Sequence, residues 1–293
     1  MQQRDTRKGI LLMIAATAVF AAQDALSRHL AESYSVLLVV MLRYWFFALF
    51  VAVIASRRAG GVRAAARTSR PFLQIGRGIL LAAEICVMVL GFTLLGLTES
   101  HAVFALYPLL VVALSGPVLG ERVGSVRLTA VAIGFAGILV ILQPGAQVFS
   151  PAALVPLLAA GMFALYGLLT RLAARGDTAE TSFFWTGVAG AAFMTAVGLP
   201  SWETMSRADY AWMTLLCVTG ATGHYLLIKV YEAAEASAVQ PFSYLQLVFA
   251  SAVGVAVFGE TVRTSTALGA AVIVGAGLFA LMRERRRAED RAG

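Results

Sequence analysis

The chain reads as an all-α membrane protein: ten transmembrane helices in two inverted five-helix repeats, with both termini in the cytoplasm. Three observations predict this. Apolar residues fall in blocks long enough to cross a bilayer, basic residues crowd alternate connections, and the two halves close on one phrase. That phrase is Val118-Leu119-Gly120-Glu121-Arg122-Val123 in the first half and Val257-Phe258-Gly259-Glu260-Thr261-Val262 in the second.

The apolar blocks come first. Of 293 residues, 59% are hydrophobic and 13% charged, whereas roughly a quarter of residues are charged in soluble domains. About 20 apolar residues cross a hydrocarbon core of ~30 Å. Blocks of that size lie at 9–30, 35–55, 72–97, 100–119, 125–143, 151–172, 181–200, 209–231, 236–258 and 264–282. The first has a basic lead, but it carries Asp24 and lacks a small-residue cleavage site, so it reads as a retained span and not a signal peptide.

The net charge is +7, and its placement points to a membrane instead of a nucleic acid. Arg4, Arg7 and Lys8, then Arg57, Arg58, Arg63, Arg67 and Arg70, then Arg122 and Arg127, Arg171 and Arg175, and finally Arg283, Arg285, Arg286, Arg287 and Arg291 occupy alternate connections. The remaining connections hold Arg28, Arg207 and Arg263. This is the positive-inside distribution. Cys86 and Cys217 both fall inside apolar blocks without CxxC or Cys/His spacing, so they read as small buried hydrophobes. No metal or cofactor is expected.

The duplication fixes the organisation. An offset of 139 residues aligns Gly120-Glu121 with Gly259-Glu260, Leu106 with Leu245 and Ala132 with Ala271. Phe20-Ala21 followed by Leu26-Ser27-Arg28 is answered by Phe163-Ala164 followed by Leu169-Thr170-Arg171. Five spans per repeat is an odd number, so the second copy enters the membrane upside down. Inverted repeats are a common plan of secondary transporters, because exchanging the conformations of two similar halves alternates access to a central site.

With Pro108 in Leu106-Tyr107-Pro108-Leu109, Gly-rich fifth and tenth blocks and a basic C-terminal tail, the chain resembles the ten-span EamA-type transporters of the drug/metabolite transporter superfamily. The resemblance implies a first repeat over 1–143, a second over 151–282 and a cytoplasmic tail over 283–293. Two departures stand out: Phe20-Ala21 replaces the family's Trp-Gly pair, and Leu247 stands where a proline is expected. Gly223-His224-Tyr225 through Lys229 and Pro241-Phe242-Ser243-Tyr244 through Val248 are similar to a branch that includes bacterial riboflavin importers and S-adenosylmethionine carriers.

Ionisable residues deep in a span face a cavity or pair with one another. At ~1.5 Å per residue, Asp24 lies ~22 Å from the cytoplasmic end of its span, and Arg43 and Glu84 each lie ~18 Å deep. One reading has all three lining the path, with Arg43 binding a carboxylate or phosphate and one acid carrying a coupling proton. The other has Asp24 and Arg43 as a buried structural pair. Tyr107, His224, Tyr244 and Gln246 add rings and uncharged polar groups to the candidate path. His224 is either a proton carrier or a hydrogen-bonded packing residue. Glu121 and Glu260, each at a Gly-Glu turn, are candidates for a turn or gating role.

The expected function is secondary transport of a small amphiphilic metabolite in the inner membrane. A riboflavin-like vitamin is the first specific candidate; S-adenosylmethionine carriage and amino-acid export are alternatives. The expected partners are a small-molecule substrate and the lipid bilayer, with no nucleic acid; a homo-oligomer is compatible with the sequence. No P-loop, zinc motif or G-x-S-x-G elbow is present. A lipid-modifying enzyme would need paired groups near one interface, and Asp24, Glu84 and His224 are too deep and too scattered for that. A scaffold or sensor would need an extramembrane module, which the short connections do not provide.

Overall fold

Ser35 sets the start of the second long helix by accepting a hydrogen bond from the Leu37 amide, and Pro71 opens the next long one. At the first helical turn a proline gives up only an amide that has no partner in the helix anyway. Such local choices segment the chain into helices throughout. The computed structural model describes residues 6–120, 125–142, 151–233 and 240–289. Over these it runs α1 (Thr6–Ala31), α2 (Val36–Ser56), α3 (Gly61–Ala66), α4 (Pro71–Leu95), α5 (Leu97–Phe104), α6 (Tyr107–Leu119) and α7 (Ser125–Leu142). The second half follows with α8 (Leu154–Ala173), α9 (Ala179–Gly198), α10 (Arg207–Ala233), α11 (Leu245–Phe258) and α12 (Thr264–Glu289). Short 3₁₀ turns precede α8 and α11 and follow α9. No strand occurs among the described residues.

Among the described residues six stretches are long and apolar enough to cross a membrane: Arg7–Ala31, Val36–Ser56, Pro71–Leu95, Leu97–Leu119, Pro151–Ala173 and Ala179–Ser201. Leu128–Leu142, Phe242–Phe258 and Thr264–Phe279 are shorter apolar helices. The block expected at 209–231 coincides with α10, where Asp209, His224 and Lys229 interrupt the apolar run. Large side chains such as Leu49, Phe72, Leu139 and Val257 point outward, as a lipid-facing surface requires.

The block expected as one continuous helix at 100–119 is broken at Ala105–Leu106 into α5 and α6. Pro108 explains the break: its ring collides with the carbonyl four residues back, that of Phe104, and it lacks an amide to donate. The second half breaks at the equivalent place. A 3₁₀ turn over Gln240–Tyr244 gives way to α11 at Leu245, although Leu247 stands where the first half has its proline. Gly120 and Gly259 end α6 and α11 in the left-handed conformation (φ 72° and 65°), which a side chain would strain.

Among the described residues the largest helix interfaces join one half to the other. Helix α1 packs on α10, α2 on α9 and α10, α4 on α8 and α9, α5 on α11, and α7 on α12. Exchanging the halves maps this set of pairings onto itself. One core centres on Leu38, Met41 and Tyr44 of α2 against Phe184 and Met194 of α9 and Leu216 of α10. A second surrounds Leu106, Leu109, Ile138, Tyr244 and Ile273.

Candidate functional site

Asp24 sits in the last third of α1, facing the two broken segments. Its Oδ2 accepts a hydrogen bond from Gln246 Nε2 at 3.1 Å and lies 3.1 Å from His101 Nε2, while Oδ1 accepts from Gln23 Nε2 at 3.4 Å. The His101 approach is close but out of line for a hydrogen bond. The breaks create this cluster, because His101 comes from short α5 and Gln246 from the first turn of α11. One carboxylate thus bridges both halves. His101 is fixed by stacking on Phe92 at 5.3 Å and by the edge of Phe104 at 6.3 Å.

From His101 a run of rings continues through the bundle. Phe104, Tyr107, Phe163 and Tyr166 follow one another at centroid distances of 5.2, 5.0 and 6.0 Å. Aromatic pairs at such separations are held by edge-to-face and offset packing. The run ends at Arg77, whose guanidinium lies 5.4 Å from the Tyr166 ring centroid.

Arg43 and His224 meet in a second chamber. Gly220 of α10 lets Arg43 approach: a Cβ there would lie 3.3 Å from Arg43 Nε and 3.2 Å from Gln23 Oε1. Arg43, Tyr44, Phe47, Gly220 and His224 enclose a cavity of ≈ 10 Å³, about the room one water needs. His224 stacks on Phe47 at 5.6 Å and meets the edge of Phe20 at 5.4 Å. Glu84 is buried within the field of Asp24 and Arg43. Asp24 and Arg43 form no ion pair with each other: Asp24 accepts hydrogen bonds from Gln246 and Gln23 and lies beside His101, and Arg43 faces Gly220 and the cavity. Tyr244 is buried in the second core, close against Gly277.

Two constellations escaped the sequence reading. Arg77 is 1% exposed and uses all its donor groups on uncharged acceptors. Nε donates to Gln74 Oε1 at 2.7 Å, Nη1 to Thr170 Oγ1 at 3.0 Å and Tyr166 Oη at 3.3 Å, and Nη2 to Thr186 Oγ1 at 2.7 Å and to the Ser182 carbonyl. Gln74 Nε2 in turn donates to Asp177 Oδ2 at 2.8 Å. The amide relays a carboxylate in the α8–α9 connection to a buried cation. Slight burial works to raise the Asp177 pKa, but hydrogen bonds from Thr68, Gln74 and Ser69 outweigh it and hold the group below its ordinary value.

At the opposite end of the bundle Glu260 accepts hydrogen bonds from the amides of Leu97 at 2.7 Å and Thr98 at 2.9 Å, and pairs with Arg28. It therefore caps α5, with negative charge at a helix N-terminus. Gly96, at φ 83°, gives the carboxylate its room; a Cβ there would overlap it. Partial burial pushes the Glu260 pKa up, yet Thr98, Leu97 and the Arg28 charge together hold it below the ordinary carboxylate value. Arg263 pairs with Glu99 alongside. One signal for this latch was in the sequence: Arg28 and Arg171 close the same repeated phrase, as Glu260 and Glu121 close another. Glu121 lies outside the described residues.

The EamA-like transporter family model matches residues 7–143 and again 150–282. The S-adenosylmethionine uptake transporter of Rickettsia prowazekii is 26% identical over 281 residues, covering 95% of this chain and 94% of that protein. The riboflavin transporter of Rhizobium johnstonii is 32% identical over 76% of this chain and 74% of its own length, and that of Vibrio cholerae 27% over 91% and 90%. A solved crystal structure aligns at a TM-score of 0.66 with 20% identity, over 96% of this chain and 100% of that one, a likeness of fold. The chain belongs to the EamA-like transporter family: a multi-pass bacterial inner-membrane protein that carries a small metabolite across the bilayer and does not transform it.

Proposed function

We propose that the chain moves a flat, polar-edged metabolite by alternating access between inverted repeats at 1–143 and 151–282. Ten spans place both termini and the 283–293 tail in the cytoplasm, as the basic connections indicate. The observation that carries this reading is the Asp24 carboxylate, shared between Gln246 of one half and His101 of the other. A group held by both halves is one whose contacts must change when the halves rock. Asp24, Gln246, Arg43, Glu84 and His224 supply polar contacts along the path. The run from Phe104 through Tyr107 to Tyr166 offers stacking surface to a planar ring, and Tyr244 buttresses the α11 break. Glu260 closes the outer side.

A riboflavin-like vitamin fits a wall of rings with amide and carboxylate anchors. A second reading, S-adenosylmethionine, is favoured by two buried acids, Asp24 and Glu84, in a path that must accept a sulfonium cation. The test is uptake of labelled riboflavin, S-adenosylmethionine and amino acids into proteoliposomes, with and without a pH gradient. Saturable flux of one of the first two, lost in Asp24→Asn, supports the proposal. Flux restricted to amino acids replaces the cargo, and no flux from folded protein removes the transport path drawn here.

A further inference from the structure

Helices α2 and α10 run side by side in the same direction, since Leu42 lies against Cys217, Arg43 against Gly220 and Phe47 against His224. On their outer side they leave an apolar groove of ≈ 400 Å³ between Phe46, Phe50 and Ile54 of α2 and Val218, Thr222 and Tyr225 of α10. We propose that this groove binds one acyl chain of an anionic bilayer phospholipid, with the headgroup between Arg57 and Lys229. The inference rests on the chain being membrane-embedded and is independent of the cargo.

Register, length and charge agree on that occupant. Phe46, Phe50, Ile54 and Arg57 are spaced as one face of α2 and its C-terminal cap, and Val218, Thr222, Tyr225 and Lys229 as one face of α10. Each face covers 12 residues, whose ends stand ~16 Å apart at ~1.5 Å per residue, which matches half of a ~30 Å hydrocarbon core and hence one leaflet. The apolar part opens toward where lipid must lie. A cation closes the same end of each wall: Arg57 is exposed, and Lys229 Nζ stands 5.6 Å from the Tyr225 ring centroid. Neighbouring Arg58 is engaged by Glu180. A hydrocarbon wall ending in two basic residues is complementary to a fatty chain ending in a phosphate. Ala221 lines both this groove and the Arg43–His224 cavity, so the lipid tail backs the wall of the inner chamber.

The test is native mass spectrometry of the full chain released from detergent with phosphatidylglycerol or phosphatidylethanolamine of identical acyl chains. One phosphatidylglycerol should be retained per chain. Arg57→Gln and Lys229→Gln should each weaken the preference over phosphatidylethanolamine about fivefold, from roughly 1 kcal/mol per basic residue near an anionic surface. Thr222→Trp, at an exposed position, should fill the groove and abolish retention at unchanged helical content. Equal retention of both lipids overturns the proposal, as does lipid still held by Thr222→Trp. Displacement of the bound lipid by riboflavin or S-adenosylmethionine would assign the groove to the cargo instead and also overturn it.

Discussion

Replacing Glu260 with alanine should loosen one end of the molecule and leave the other as it is. The carboxylate satisfies the amides of Leu97 and Thr98 and faces Arg28, which keeps Glu32 at 3.2 Å and the Phe258 ring at 4.0 Å. Loss of a helix cap costs about 1 kcal/mol. Loss of a charged hydrogen-bonding partner costs about 1.5 kcal/mol at the low end of its range, and the low end applies because Arg28 retains other contacts. Together about 2.5 kcal/mol corresponds to roughly 70-fold in an equilibrium. Amide hydrogen exchange should therefore rise roughly 70-fold across Leu97–Phe104 while α9 is unchanged. Gly254→Ala should produce a related rise, because its Cβ would overlap the Glu260 carboxylate. Unchanged exchange in α5, or an equal rise in α9, would refute the latch. Restoration by Glu260→Asp would indicate that charge matters more than reach.

Other outcomes follow from the same geometry. Gln246→Ala should cut uptake roughly tenfold or more, since a hydrogen bond to a charged group is worth about 1.5–3 kcal/mol; unimpaired flux would remove Gln246 from the path. The charge-swapped pair Asp24→Arg with Arg43→Asp should stay inactive, because these residues hold different partners, and restored uptake would reinstate the ion pair. Arg77→Lys should lower thermal stability by about 3 kcal/mol, because an ammonium cannot serve acceptors arranged for a planar guanidinium; an unchanged melting temperature would dismiss the hub. The Asp177 contribution is present above its ordinary value of 3.8 and lost as pH falls through the lowered folded value. The melting difference between the natural chain and Asp177→Asn should therefore close on that acid side; a gap that persists to lower pH would show the carboxylate charge to be irrelevant.

Much of the frame was legible along the chain. Block lengths marked the helices, Gly120 and Gly259 marked two helix ends, and Pro108 stood where the break at Ala105–Leu106 occurs. The matching break before Leu245 was hidden, because no proline stands at Leu247 to announce it. Asp24, Glu84 and Arg43 were found as costly charges within apolar blocks, but the hub around Arg77 was not. Its acceptors at 74, 166, 170, 182 and 186 come from three helices that only packing brings together.

By itself the sequence determined that this chain lives in a bilayer, that it is doubled, and how far along its apolar block each charge lies. That distance follows from rise per residue, a property of one helix. Which charges meet is set by how each helix is rotated and which neighbour it faces, and no single helix carries that information. Tertiary packing alone therefore turned Asp24 toward His101 and Gln246, turned Arg43 toward Gly220, and brought Glu260 onto the amides of α5.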